Sequence, residues 1–161
     1  MEIIKWYGLR EKICCFTGHR KIPADELEGV QARLEQTIKE LYHRGVIFFG
    51  AGGALGFDSL AAETVLHLRE QPAYSRIKLI LVLPCHSQTS KWNQKDDARY
   101  QDILHRADKV VYVSQEFSYA SLFKRNRHLV DGSSVCVCYQ TRYTGGTAYT
   151  IGYAEKMALR S

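Results

Sequence analysis

A chain of 161 residues, 45 % apolar and 24 % charged, is long enough to bury a continuous core without disulfides or structural metal. Nothing in it is low in complexity or composed like a disordered region, and apolar runs such as Leu79 to Leu83 are far too short to span a bilayer. The formal charge of +5 suits an anionic partner, a phosphate or a nucleic acid, without identifying either.

Residues Met1 to Lys12 mix Glu2, Lys5, Arg10, Glu11 and Lys12 with apolar positions, so no signal core is expected. The expectation is a soluble, cytoplasmic single domain over residues 1–161 with no membrane partner, residues 1–11 forming an N-terminal extension of uncertain structure. The five cysteines are Cys14, Cys15, Cys85, Cys136 and Cys138. An odd number in apolar, strand-like runs speaks against a secreted disulfide framework. Cys136 and Cys138 share a strand face but lack the turn-forming spacing of a zinc site, so all five read as buried small hydrophobes. Neither a metal nor a cofactor is expected.

In chain order the pattern is strand, loop, helix, repeated five times. Ile13 to Thr17 is a first strand closed by Gly18. Leu27, Val30, Leu34, Ile38 and Leu41 recur at steps of three and four, one face of an amphipathic helix entered through Pro23 and Asp25. Val46 to Phe49 is the second strand, and Leu60, Ala61, Val65 and Leu68 mark the helix after it. Lys78 to Leu83 is a third strand whose apolar middle implies burial on both faces. A polar segment from Cys85 to Lys95 precedes a helix carrying Tyr100, Ile103, Leu104 and Ala107. Val110 to Val113 is the fourth strand, Leu122 to Val130 a short helix, and Val135 to Tyr139 the fifth strand. The last helix starts near Thr147 and carries Ile151, Ala154 and Met157 or Ala158.

This alternation predicts an α/β fold: a doubly wound, Rossmann-like sheet, mainly parallel and five-stranded, with helices on both faces. The expected strand order is 3-2-1-4-5, with the reversal between strands one and four. Ligands of such sheets bind beyond the carboxyl ends of the strands, beside the reversal.

The loops at those ends hold the unusual residues. After strand two, Gly50-Ala51-Gly52-Gly53-Ala54-Leu55-Gly56-Phe57-Asp58 leads into a helix whose N-terminal amides and dipole favour an anion. Gly52, Gly53 and Gly56 are therefore candidate phosphate-binding positions. The spacing is neither the dinucleotide fingerprint nor a Walker loop. Asp58 reads either as a first-turn acid favoured by the dipole or as an acceptor for ribose hydroxyls. After strand one come Thr17, Gly18, His19 and Arg20. Arg20 offers a forked donor to phosphate oxygens, and His19 reads as a phosphate donor, an acid or base, or a surface side chain. Arg125-Asn126-Arg127-His128 is expected to open the helix after strand four. Arg125 and His128 there share one side, and Asn126 lies toward the core. After strand five, Thr144-Gly145-Gly146-Thr147 enters the last helix as a second anion nest, Thr147 doubling as a possible N-cap.

Taken in order, Thr17-Gly18-His19-Arg20, the run Gly53 to Glu63, Arg125-Asn126-Arg127 and Gly145-Gly146-Thr147 resemble the SLOG superfamily, within it the YpsA-like branch. The resemblance runs from about Lys12 to the end. It implies a Rossmann-like fold with a site for nucleotides or nucleotide-derived ligands, surrounded by Gly18, Arg20, Gly53, Gly56, Asp58, Asn126, Gly145, Gly146 and Thr147. The same segments resemble the DprA DNA-processing proteins, which implies single-stranded DNA as a further partner. They are also similar to the LOG-type phosphoribohydrolases, whose Pro-Gly-Gly-x-Gly-Thr-x-x-Glu loop is shortened here, with Thr150 where the Glu falls. A sugar cation needs a close carboxylate, so a hydrolase would draw on Asp58, with Glu63 or Glu155 as substitutes only if folded toward the sugar.

Binding or sensing of a nucleotide-type phosphate ligand is therefore the leading expectation. A nucleotide-processing hydrolase with Asp58 as catalytic candidate, and a single-stranded nucleic-acid binder, are its alternatives. Self-association is plausible from related proteins, and the segment 85–100 has no assigned role.

Overall fold

The computed structural model describes residues 1–5, 12–141 and 143–160. Its strands are β1 (Glu2–Lys5), β2 (Ile13–Gly18), β3 (Phe48–Ala51), β4 (Lys78–Leu83), β5 (Lys109–Tyr112) and β6 (Val135–Tyr139). Its helices are α1 (Ala24–His43), α2 (Phe57–Arg69), α3 (Gln94–Arg106), α4 (Tyr119–Asp131) and α5 (Gly146–Arg160), with a 3-10 turn at Pro72–Tyr74. The five expected strands and their helices are all present, and the fold is Rossmann-like.

Among the described residues the strands form one six-stranded sheet in the order β1-β6-β2-β3-β4-β5. All pairs are parallel except β1 with β6. This corrects the expected order. Strand β5 continues the march beyond β4 instead of returning beside β2, and β6 takes the place beside β2. The reversal therefore lies between β2 and β6. Burial explains the choice. Every residue of β6 is buried, so it needs a neighbour on each side, whereas β5 is exposed at Lys109 and half-buried at the next three positions, as suits an edge. The sixth strand comes from the N-terminal extension: Glu2–Lys5 pairs antiparallel with β6, Ile3 opposite Val137. Residues 6–11 of that extension lie outside the described residues.

Alternating side chains divide the core in two. Cys14 and Phe16 of β2 and Val135, Val137 and Tyr139 of β6 join Val30, Leu34 and Ile38 of α1 and most of α2 on one face. Cys15, Cys136 and Cys138 join Leu129 and Val130 of α4 and Ile151 and Ala154 of α5 on the other. All five cysteines are free and buried. On α1 the expected apolar face is buried at Val30, Leu34, Ile38 and Leu41, but Leu27 is exposed and turns to the cleft described below. Helix α2 is buried at nearly every position from Phe57 to Leu68, because α1 and α3 flank it while the sheet lies beneath.

The loops after β2 and β3 touch backbone to backbone. Phe57 N–H donates to the His19 carbonyl at 3.1 Å. Gly56 has φ +77 and ψ −120, a region closed to side chains, and a Cβ there would fall inside the Arg20 carbonyl. Gly56→Ala is expected to cost more than the roughly 1–3 kcal/mol of a disfavoured backbone alone, read as a lower midpoint in urea unfolding; an unchanged midpoint would show that the two loops are not in contact.

Candidate functional site

Parallel strands that end at the same level bring their following loops to one rim. Gly18 ends β2 opposite Tyr139, the last residue of β6. The chains leaving those two strands go to opposite faces, α1 to one and α5 to the other, which opens a crevice between them. A cleft of ≈ 1350 Å³ lies there.

Of the residues singled out in the sequence, Thr17, Gly18, His19, Arg20, Gly56, Asp58, Arg125, Asn126, Gly145, Gly146 and Thr147 all line this cleft. Gly52 and Gly53 do not; both are buried behind it. Each carbonyl there is already engaged, that of Gly52 by Arg125 Nη1 and that of Gly53 by Gln88 Nε2 at 2.8 Å. The Arg125 guanidinium fills the space that a Cβ on Gly52 would need, with Nη1 at 2.7 Å from that position.

Two amides of the loop after β3 are used internally. Asp58, in the first turn of α2, accepts the Ala54 N–H at 3.3 Å, and Phe57 N–H goes to His19. A carboxylate of the chain itself thus occupies the position at the helix start that suits an anion. The loop after β6 differs. Gly145, with φ +89, accepts Tyr149 N–H and opens α5, so Gly146 and Thr147 are its first residues. Thr147 is therefore past the N-cap. The early amides of a helix have no acceptor within it, and Gly145 and Gly146 have no atom within 4 Å of where a Cβ would stand.

Helix α4 begins at Tyr119, capped by reciprocal bonds between Ser118 and Ser121, so Arg125 sits in its second turn and does not open it. The core-facing side expected for Asn126 belongs to Arg125, which is 5 % exposed and shares its side with buried Leu129. Asn126 is half-buried, and its Oδ1 accepts from Arg125 Nε at 2.6 Å. Arg20 is exposed at the mouth. Asp58 is 7 % exposed at the floor. Burial pushes its carboxyl up from 3.8 to about 6, against the pull of Arg125, the Ala54 N–H and Arg20.

His19 lines the cleft and is 5 % exposed, so it is not a surface side chain. Its Nε2 accepts the Thr141 N–H at 2.8 Å, so the ring needs a lone pair there and carries its proton on Nδ1. Its ring meets Tyr139 edge-on, and Tyr139 stacks on Phe57. His19 ties the loop that leads into α5 to the loop after β2. Of the carboxylates weighed in the sequence, Glu63 pairs with Arg99 and Glu155 is exposed on α5; Asp58 alone of the three lines the cleft. Thr150 donates to the Gly146 carbonyl at 2.9 Å. Missed in the sequence were Phe117, Tyr119, Leu122 and Phe123 at the rim, and Asp96 and Arg99 of α3. Their signal was position, since each follows the carboxyl end of a strand.

Two measurements follow from these contacts. His19→Ala leaves the Thr141 N–H without its acceptor and is expected to cost about 1–3 kcal/mol. His19→Gln restores an acceptor and most of the stability, with slow hydrogen exchange at Thr141 in the native chain and the Gln variant and fast exchange in the Ala variant. Because Asp58 binds its proton more tightly folded than unfolded, its contribution is full below pH 4 and is lost as pH rises through about 6. The unfolding free energies of the native chain and Asp58→Asn should therefore diverge over that window, by on the order of 3 kcal/mol; parallel curves would contradict the burial of this carboxylate.

Among the described residues no helix is long and apolar enough to cross a membrane, and no group of three or more His, Cys, Asp or Glu side chains is arranged to hold a metal ion. Over residues 14–161 the chain matches the YpsA family, described as the YspA SLOG family. It is similar to a UPF0398 protein of Bacillus pumilus (strain SAFR-032), 27 % identical over 154 residues, 89 % of this chain and 82 % of that one. It is also similar to the uncharacterised SPbeta prophage-derived protein YoqJ of Bacillus subtilis (strain 168), 30 % identical over 123 residues, 69 % of this chain and 71 % of that one. Among solved structures it is similar to DNA processing protein A from Helicobacter pylori, described for its single-stranded DNA binding mode. The TM-score is 0.63 at 19 % identity, over 96 % of this chain and 66 % of that one, a likeness of fold alone. With its fold, its glycine-marked loops and the match over nearly its whole length, the chain belongs to the YpsA family of SLOG proteins.

Proposed function

We propose that the cleft binds a nucleotide or nucleotide-derived phosphate ligand. The observation that carries this reading is the meeting of three glycine-marked loops, after β2, β3 and β6, around one basic-mouthed cleft. The phosphate is assigned to the first turn of α5 with Arg20, because the amides of Ala54 and Phe57 in the other loop are already used within the chain. The sugar hydroxyls are assigned to Asp58, an acceptor at the cleft floor. Membership of the SLOG family and a net charge of +5 support an anionic ligand of this class. A nucleotide at the end of a single strand presents the same phosphate and sugar, so the reading covers free nucleotides and strand ends alike.

A second reading, hydrolysis of the bond between base and ribose phosphate, is favoured by one observation. Asp58 is a buried carboxylate at the floor of the cleft, able to face a developing sugar cation.

Both readings are tested with one panel of nucleoside mono- and diphosphates. A binding nucleotide present at a hundred times its Kd should stabilise the protein by about 2.7 kcal/mol, read as a rise in Tm. Arg20→Ala should weaken it about ten-fold or more, the loss of a charge-assisted hydrogen bond. No response to any nucleotide would overturn the binding reading, and no free base after prolonged incubation would overturn hydrolysis.

A further inference from the structure

One feature beside the cleft has no part in its loops. Ala120, Phe123 and Arg127 lie on one side of α4, and with Tyr149 of α5 they line a second, shallow concavity of ≈ 320 Å³. The Phe123 and Tyr149 rings meet edge to face at 4.7 Å, and Arg127 Nη1 donates to the Tyr149 hydroxyl at 3.1 Å. Phe123 lines both this concavity and the cleft, so the two surfaces join through its ring. Phe117 and Tyr119, at the cleft rim beside it, are 49 % and 79 % exposed. With Tyr143 and Tyr149 they are four of the seven large apolar side chains exposed among the described residues.

Folding alone gives no reason to leave these rings in water, since each would contribute more if buried. The chemistry of the surface selects the occupant. The rings are aromatic, with flat faces that suit a base, and the cation among them is held by a phenol. Among the described residues Arg127 makes no ion pair, nor does exposed Lys124 on the same helix. A second copy of the chain paired through this face would bring those same cations together around its twofold axis, an unfavourable arrangement. An unpaired polynucleotide meets both needs, stacking its bases on the rings and offering phosphodiester charge to the cations.

We infer that the face of α4 and α5 bearing Phe123, Arg127 and Tyr149 is a stacking platform for a single-stranded nucleic acid. One nucleotide sits in the cleft, and the neighbouring base stacks on Phe123 and Tyr149 while Arg127 meets the backbone phosphate between them. This rests on the cleft reading for the first nucleotide and adds a second subsite to it.

The test measures fluorescence anisotropy of labelled dT12 and U12 on the full chain, with competition by the matching mononucleotides, at 50 and 200 mM salt. A twelve-residue strand of at least one sugar is expected to bind about ten-fold or more tightly than its mononucleotide, and the tighter of the two identifies the sugar preferred. Tyr149→Ala should weaken strand binding by about ten-fold and leave mononucleotide binding unchanged. Phe123→Leu, which keeps an apolar side chain in place of the ring, should also weaken strand binding. Arg127→Gln should reduce the salt slope by about one phosphate contact. If a mononucleotide binds but neither strand gains over it, the platform is overturned and the cleft reading stands. If neither mononucleotides nor strands bind, both fall. A Tyr149→Ala variant that changes the oligomeric state and not strand affinity would likewise overturn the inference.

Discussion

The contact on which the cleft depends is the one between the loops after β2 and β3. Phe57 N–H reaches the His19 carbonyl, the Phe57 ring occupies the space beside Gly18, and Gly56 turns beneath Arg20 with a backbone only glycine adopts. Neither Gly18 nor Gly56 has room for a side chain, so the start of α2 is pressed against the end of β2. That pressure delivers Asp58 to the cleft floor and leaves Arg20 at the mouth. The third wall joins through His19, whose lone pair holds the loop leading into α5. One imidazole and two glycines thus convert three separate strand ends into one concave surface.

The electrostatics of that surface are set by burial more than by ion pairing. Asp58 and Arg125 are both nearly inaccessible, yet neither is held by an ion pair among the described residues: the carboxylate accepts Ala54 N–H, and the guanidinium donates to the Gly52 carbonyl and to the Asn126 side chain. The two charges act on one another through space, Arg125 lowering the carboxyl that burial has raised. Such an arrangement keeps a carboxylate in a dry site with its proton held close to the physiological range. It also reassigns the glycine-rich loop after β3. Its glycines serve the close packing of Arg125, Gln88 and Arg20, and the amides of Ala54 and Phe57 have acceptors within the chain.

Much of this was legible in the residues. The five alternating strands and their helices lie within a few residues of where periodicity puts them, Lys78–Leu83 coinciding at both ends. The cysteines are buried as their apolar neighbours implied. Eleven of the thirteen candidate site residues line the cleft, because glycine, histidine and arginine after the carboxyl end of a strand are a local signal with a local cause. Strand order was not legible in that way. A strand–helix–strand unit of given length closes equally well onto either edge of a growing sheet, and the rule of handedness decides the face, not the side. That β6 is interior and β5 an edge follows from burial on both faces, which composition only suggests.

What the sequence by itself determined is therefore the set of elements, their alternation, and the positions where backbone freedom and charge concentrate, since these follow from periods of two and 3.6 and from single-residue chemistry. What only the tertiary structure decided is which of those positions share a surface. His19 became a tether, Arg125 and not Asn126 turned inward, Gly52 and Gly53 withdrew behind the wall, and Phe123 met Tyr149 across two helices. Each of these outcomes depends on contacts between residues far apart in the chain, and no local pattern encodes the distance between them.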